Sequence, residues 1–152
     1  MTTTLVEVYS VTDRHHIVAV ARDWLETPYR HQFAKKGLGC DCLGLVRGVF
    51  EDVYGYSPEN PPPYSPSWGE VGPKEHLLEA AARHLVPVKE AKNASVLVFR
   101  MKPTMTAKHC AILTDEGTII HAYISPRKVV EHSLTPWWEK KIAGVFDFPD
   151  VS

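Results

Sequence analysis

Two periods of apolar residues run along this chain, and the change from one to the other divides it. Between Ser10 and Leu25, the residues Ile17, Val20, Ala21, Trp24 and Leu25 recur at helical spacing. Ser10 with Asp13 resembles a capping box, and Pro28 disfavours helical backbone in the residue before it, so the spacing predicts an opening helix that stops at Thr27. A glycine-spotted loop, PYRHQFAKKGLG, follows. Beyond Asp41, the residues Cys42, Leu45, Val46, Val49, Phe50 and Val53 form a stripe at i, i+3, i+4, i+7, i+8 and i+11, and Gly55 suits a C-terminal cap. This predicts a central helix with Cys42 in its first turn.

Residues 56–73 carry six prolines together with Tyr64 and Trp68, too many for a helix or a central strand, and read as an extended surface loop. Helical spacing returns over Lys74 to Leu85, where Leu77, Leu78, Ala81 and Leu85 share a face, and Pro87 ends it. The pattern then changes to short runs rich in β-branched and aromatic residues: SVLVFRM, AKHCAILT, TIIHAY, RKVVEH and KIAGVFDF. Turn-prone residues such as Asp115-Glu116-Gly117 and Ser125-Pro126 separate them. Helices first and strands later predict an α+β domain with an antiparallel sheet, a single domain over 1–152.

Composition narrows the function classes. With 17 basic and 18 acidic residues the formal net charge is -1, and no like-charge run offers a stripe for a phosphate backbone, which excludes nucleic acid as the expected partner. No apolar run approaches the ~20 residues needed to span a bilayer, so no membrane insertion is expected. The amino terminus, MTTTLVEVYSVTDRHH, lacks the basic and apolar regions of a cleavable leader, and synthesis in the cytoplasm is expected. Three cysteines, Cys40, Cys42 and Cys110, are too few and too odd in number for a disulfide framework.

Each thiol is left with packing, metal binding or catalysis. A thiol is a useful nucleophile as thiolate, and a helix amino terminus favours the anion through its unpaired N–H groups and its dipole. Cys42 has that placement; the alternative is a small apolar residue that begins a core stripe. A nucleophile needs a base and a group that orients the base. His15 and His16 fall in the first helix, His76 and His84 in the third and His132 near a strand end, and most of these read as exposed. His109 shares a strand face with Ala111 and Leu113, whereas Cys110 and Ile112 point to the other side. If Asp115, Glu116 and Gly117 make a three-residue hairpin loop, position 111 pairs with 121 and 109 with 123. His109 and His121 then become diagonal neighbours on one face. A slip of one residue would separate them. A zinc site built from Cys40, Cys42, Cys110 and the two histidines is disfavoured, because Cys-x-Cys is tight for structural zinc and His109 and Cys110 face opposite sides. No metal and no cofactor is expected.

The element GCDCLGLVRGVFEDVYG at a helix start, followed by KHCAIL and IIHAY, resembles the NlpC-type cell-wall cysteine peptidases of the papain-like superfamily. ETPYRHQ, PPPYSPSWGE, VLVFRM and IAGVFDFP extend the resemblance over almost the whole chain, toward the branch found in phage tails and gene transfer agents. The resemblance implies a papain-like NlpC-type fold, Cys42 as nucleophile, His109 as base and then acid, and His121 as the orienting third member. It implies a substrate-pocket role for Tyr29 and amine recognition for Asp41; a packed loop aromatic and a helix N-cap are the other readings of these two. It implies an endopeptidase that cuts peptidoglycan stem peptides at the D-γ-glutamyl-diamino acid bond, carried to the cell wall in a tail or baseplate with hub proteins as partners. The alternative is a structural or docking tail-tip protein on the same fold with weak or no activity.

Three departures bear on substrate preference. Leu43 stands where many relatives have Ser, Arg30-His31-Gln32 where many have Trp-Gly-Gly, and Ala94-Ser95 where a Gly-Asp pair usually precedes the first strand.

Overall fold

The computed structural model describes residues 12–58 and 74–152. Ser10 and the greater part of the proline segment, with Tyr64 and Trp68, lie outside the described residues. The opening helix, α1, spans Arg14–Arg22, and its cap is Asp13, whose carboxylate accepts from the His15 N–H at 3.0 Å. It buries Ile17, Val18 and Ala21. The helix is shorter than its apolar spacing predicts. Past Asp23 the chain continues as single turns, Trp24 N–H to Ala21 O, Leu25 to Arg22 and Thr27 to Trp24, and then bends at Glu26 (φ 72°) ahead of Pro28. Apolar periodicity records which side faces the core; it does not separate an α-helix from the tighter turns that often finish one.

The glycine-spotted loop holds a small hairpin, β1 (Ala34–Lys35) with β2 (Gly39–Cys40). The central helix α2 spans Cys42–Tyr54 and ends at Gly55 in the left-handed region (φ 84°), as the sequence predicts. The third helix, α3, covers His76–His84. Six strands follow: β3 (Val86–Pro87), β4 (Val96–Phe99), β5 (His109–Leu113), β6 (Thr118–Tyr123), β7 (Lys128–Ser133) and, after the short helix α4 (Pro136–Glu139), β8 (Ile142–Asp147). They make one antiparallel sheet in the order β3-β8-β4-β5-β6-β7. Strand β3 is not legible in the sequence, where Pro87 reads only as a helix stop. It is tolerated because the strand lies at the sheet edge, where a missing N–H costs no interior ladder bond.

Each face of the sheet carries its own core. Val96, Val98, Cys110, Ile112, Ile120 and Ala122 pack with Ile17, Trp24, Leu45 and Val49 of the helical side. Leu97, Phe99, Ala111, Leu113 and Ile119 pack with Trp138 of α4 on the other. The period-2 alternation of AKHCAILT therefore separates the two cores as expected. The α+β class and its antiparallel sheet are as the sequence predicts.

Candidate active site

The site forms where the start of α2 meets the start of β5. Asp41 caps α2: one carboxylate oxygen accepts from the Gly44 N–H at 2.7 Å and the other from the Gln32 N–H at 2.8 Å. Asp41 is buried, and its second oxygen lies 3.9 Å from His31 Nδ1. A single carboxylate thus fixes the helix end and ties to it the segment that leads into β1. Gly44 is required for this approach, because a Cβ there would fall 1.9 Å from the Phe33 carbonyl oxygen. Gln32, in the segment that departs from Trp-Gly-Gly, sits in the left-handed region at φ 63°.

Cys42 is the first residue of α2 and is half-buried. Its Sγ lies 3.7 Å from the Lys108 carbonyl oxygen, so it abuts the first residue of β5, His109. Cys110 Sγ lies against Cys42, 3.3 Å from its carbonyl oxygen. The Cys42 pKa is lowered to about 5: a hydrogen bond from the Cys110 thiol and, beyond it, the hydrogen bond and charge of His109 outweigh the burial that opposes ionisation. Cys110 moves the other way, well above the ordinary thiol range, through the same hydrogen bond and its own burial. Cys40 is pushed up to about 12 by burial and then by the charges of Asp41 and Cys42. Of three thiols, one is held as a thiolate near neutral pH.

The hairpin places the two strand histidines as its expected register requires. Ile112 pairs with Ile120 and Leu113 with Ile119, the ladder that sets 111 opposite 121. Its loop is residues 115–117, closed by Thr114 N–H to Thr118 O, with Gly117 at φ 73°. His109 Nε2 and His121 Nδ1 are 2.7 Å apart. Burial, followed by the charges of His109 and His132, lowers the His121 pKa to about 2, so this ring is neutral at any physiological pH.

The chain of imidazoles does not stop there. His121 Nε2 lies 2.8 Å from His132 Nε2, and His132 Nδ1 lies 3.0 Å from the Ser133 carbonyl oxygen. His132, set aside in the sequence as a residue near a strand end, is half-buried and bonded into the site. The signal that could have found it is the β6–β7 register, in which Ile119 pairs with His132 and His121 with Val130, leaving the two histidines diagonal on one face. Trp138 packs its ring against all three imidazoles, with centroid distances of 5.6, 5.1 and 6.0 Å to His109, His121 and His132. Its neighbour Trp137 is exposed, whereas Trp138 is buried.

Tyr29 is half-buried beside the nucleophile, bridged to Cys40, and its pKa is raised to about 12 by burial and then by the Cys42, Asp41 and Cys40 charges. All five residues singled out in the sequence, Cys42, His109, His121, Tyr29 and Asp41, therefore gather around one helix end. Of the histidines set aside, His15 and His16 are exposed on α1. Among the described residues no group of three or more His, Cys, Asp or Glu side chains is arranged to hold a metal ion. The arrangement is that of a thiolate with a proton carrier at its side and an oriented second ring behind it, which is what acyl transfer requires.

A family model described as the NlpC/P60 family matches residues 26–147. No curated protein matches the chain's sequence. Among solved structures, the NlpC/p60 domain of the peptidoglycan hydrolase SagA is 22% identical with a TM-score of 0.61, the match covering 90% of this chain and 100% of that one. An NlpC/P60 family protein from Bacillus cereus is 18% identical with a TM-score of 0.65, covering 91% of this chain and 41% of its own. NlpC1 from Trichomonas vaginalis is 12% identical with a TM-score of 0.65, covering 89% and 44%. The chain spans less than half the length of these last two, and at such identities the likeness is one of fold.

Proposed function

Because the chain belongs to the NlpC/P60 family, a family of cysteine peptidases and peptidoglycan hydrolases, we propose that it is a cysteine endopeptidase acting on peptidoglycan stem peptides. The observation that carries the reading is Cys42 at the open end of α2, with its pKa lowered to about 5 beside the His109–His121 pair. In this reading the Cys42 thiolate attacks the scissile amide carbonyl. The Cys42 and Leu43 N–H groups in the first turn receive the oxyanion, each good donor contributing about 2.7–4 kcal/mol. The His109 imidazolium gives its proton to the leaving amine as the C–N bond breaks, and a thioester to Sγ remains. Water, deprotonated by His109, then attacks the thioester and releases the new carboxylate with the thiolate restored.

The bond we propose joins the γ-carboxyl of D-glutamate to a diamino acid, with Tyr29 lining the pocket and Asp41 near the substrate amine. Asp41 already accepts two backbone N–H bonds, so its part in amine recognition is electrostatic, at the distance a buried carboxylate allows. The resemblance of the sequence to the phage-tail and gene-transfer-agent branch is what favours placement in a tail or baseplate and action at the cell wall, with hub proteins as partners, after synthesis in the cytoplasm. Purified protein incubated with isolated sacculi is expected to release stem-peptide fragments ending in free D-glutamate γ-carboxyl groups, and Cys42→Ala to release none. Cleavage that survives Cys42→Ala removes the nucleophile assignment. Tight binding to a tail-hub protein with no cleavage by the native chain favours a docking role instead.

A further inference from the structure

We propose that His132 is a positioning residue which, anchored on the Ser133 carbonyl, fixes the ring tautomers of His121 and His109 and so leaves His109 Nδ1 as the nitrogen that exchanges a proton with Cys42. The inference rests on the reading of Cys42 and His109 as the reacting pair. A backbone carbonyl can only accept, so the 3.0 Å contact with Ser133 O requires the proton of a neutral His132 to be on Nδ1. His132 Nε2 is then an acceptor, and the 2.8 Å contact makes His121 Nε2 the donor. His121 is neutral, held so by burial and its two histidine neighbours, and a neutral ring carries one N–H. Its Nδ1 is therefore an acceptor, and across 2.7 Å His109 Nε2 must donate. By elimination, His109 Nδ1 faces Cys42.

Every link in this sequence has one polarity, and the polarity originates at an atom that cannot change role. Reversing it would set a lone pair of His132 Nδ1 against a lone pair of the carbonyl. Without His132 nothing decides which nitrogen of His121 is protonated, and a His121 with its proton on Nδ1 would confront the N–H of His109 with another N–H. In the serine peptidase triad a wrongly fixed tautomer alone is known to lower kcat by about 10⁴, which shows how strongly this kind of orientation can count. Trp138 packs against all three rings and holds them in contact.

The tautomers are read directly by long-range ¹H–¹⁵N correlation on histidine-labelled protein at pH 8. The Cys42→Ala form is used, so that no thiolate pairs with His109 and turnover plays no part. The expected protonated nitrogens are Nδ1 of His132, Nε2 of His121 and Nε2 of His109. In Cys42→Ala with His132→Leu, His121 is expected to become a mixture of tautomers. In the native background His132→Leu is expected to lower kcat about 10- to 100-fold, short of the loss of the base itself, with KM little changed. His132→Gln, whose side-chain oxygen can accept the His121 N–H, is expected to recover much of that loss. A His121 ring protonated on Nδ1, or a His121 tautomer that is the same with and without His132, overturns the proposal even if activity falls. Inactivity of the wild type on sacculi bears on the peptidase reading and leaves the tautomer measurement standing.

Discussion

At the scale of the residue, the site depends on thiols and imidazoles being pushed in opposite directions within a few ångströms. Cys42 falls to about 5 while its hydrogen-bond partner Cys110 rises, so one sulfur takes the negative charge and the other keeps its proton to donate. Cys110 thereby has a part beyond the packing role its strand position suggests. Cys110→Ala is expected to move the Cys42 pKa from about 5 toward the reference of ~8.5, and Cys110→Ser, which retains a donor, to restore part of the shift. The midpoint of Cys42 alkylation against pH measures this, and an unchanged midpoint in Cys110→Ala contradicts it. Cys42, His109 and His121 are legible from helix placement and strand alternation. Cys110 and His132 are not: the first acts through a contact between residues 68 apart in sequence, and the second depends on the β6–β7 register, which the sequence does not fix.

At the scale of the element, the two signals that position the nucleophile are a cap and a glycine. Asp41 serves α2 and the segment that leads into β1 at once, and the fit leaves no room at Gly44. The neighbour that an added methyl would strike is backbone, which cannot swing away as a side chain would. Gly44→Ala is expected to destabilise the protein by about 1–3 kcal/mol, the range for an overpacked buried site. It is also expected to lower Cys42 reactivity in whatever fraction remains folded; urea denaturation and alkylation measured together check both, and an unaltered transition with normal reactivity contradicts the account. The departures from the family pattern have a structural side as well. Ala94 stands at φ 72° and Gln32 at φ 63°, so two of these positions hold left-handed backbone with a side chain attached. The cost of that geometry in an L-residue is about 1–2 kcal/mol each. Ser95, in place of the usual acid, donates to Asp147 at 2.8 Å. Helix and strand types followed the apolar periods; strand β3 and helix α4 escaped because two and four residues are too short to show a period at all.

At the scale of the whole molecule, the site is a junction between two cores. Cys42 and Cys110 belong to the helical side of the sheet, and His109, His121 and Trp138 to the other; they meet because His109 is the first residue of its strand, where the sheet no longer separates the faces. Arg14 keeps the layers in place away from the site, its guanidinium reaching Asp147 of β8 at 3.1 and 2.7 Å and the Asn93 carbonyl at 3.0 Å. The order of helices and strands foretold the two layers, while the route by which a side chain from one face reaches the other could be read only from the end of β5. The central claim is that these layers assemble a thiolate–imidazole pair from Cys42 and His109. It is tested most directly by the rate of Cys42 alkylation as a function of pH in the wild type and in His109→Ala. A midpoint near 5 is expected in the wild type, with the thiolate dominant at every higher pH, and a midpoint displaced upward toward ~8.5 when His109 is removed. A wild-type midpoint at the ordinary thiol value, or one that is the same in both proteins, would contradict it.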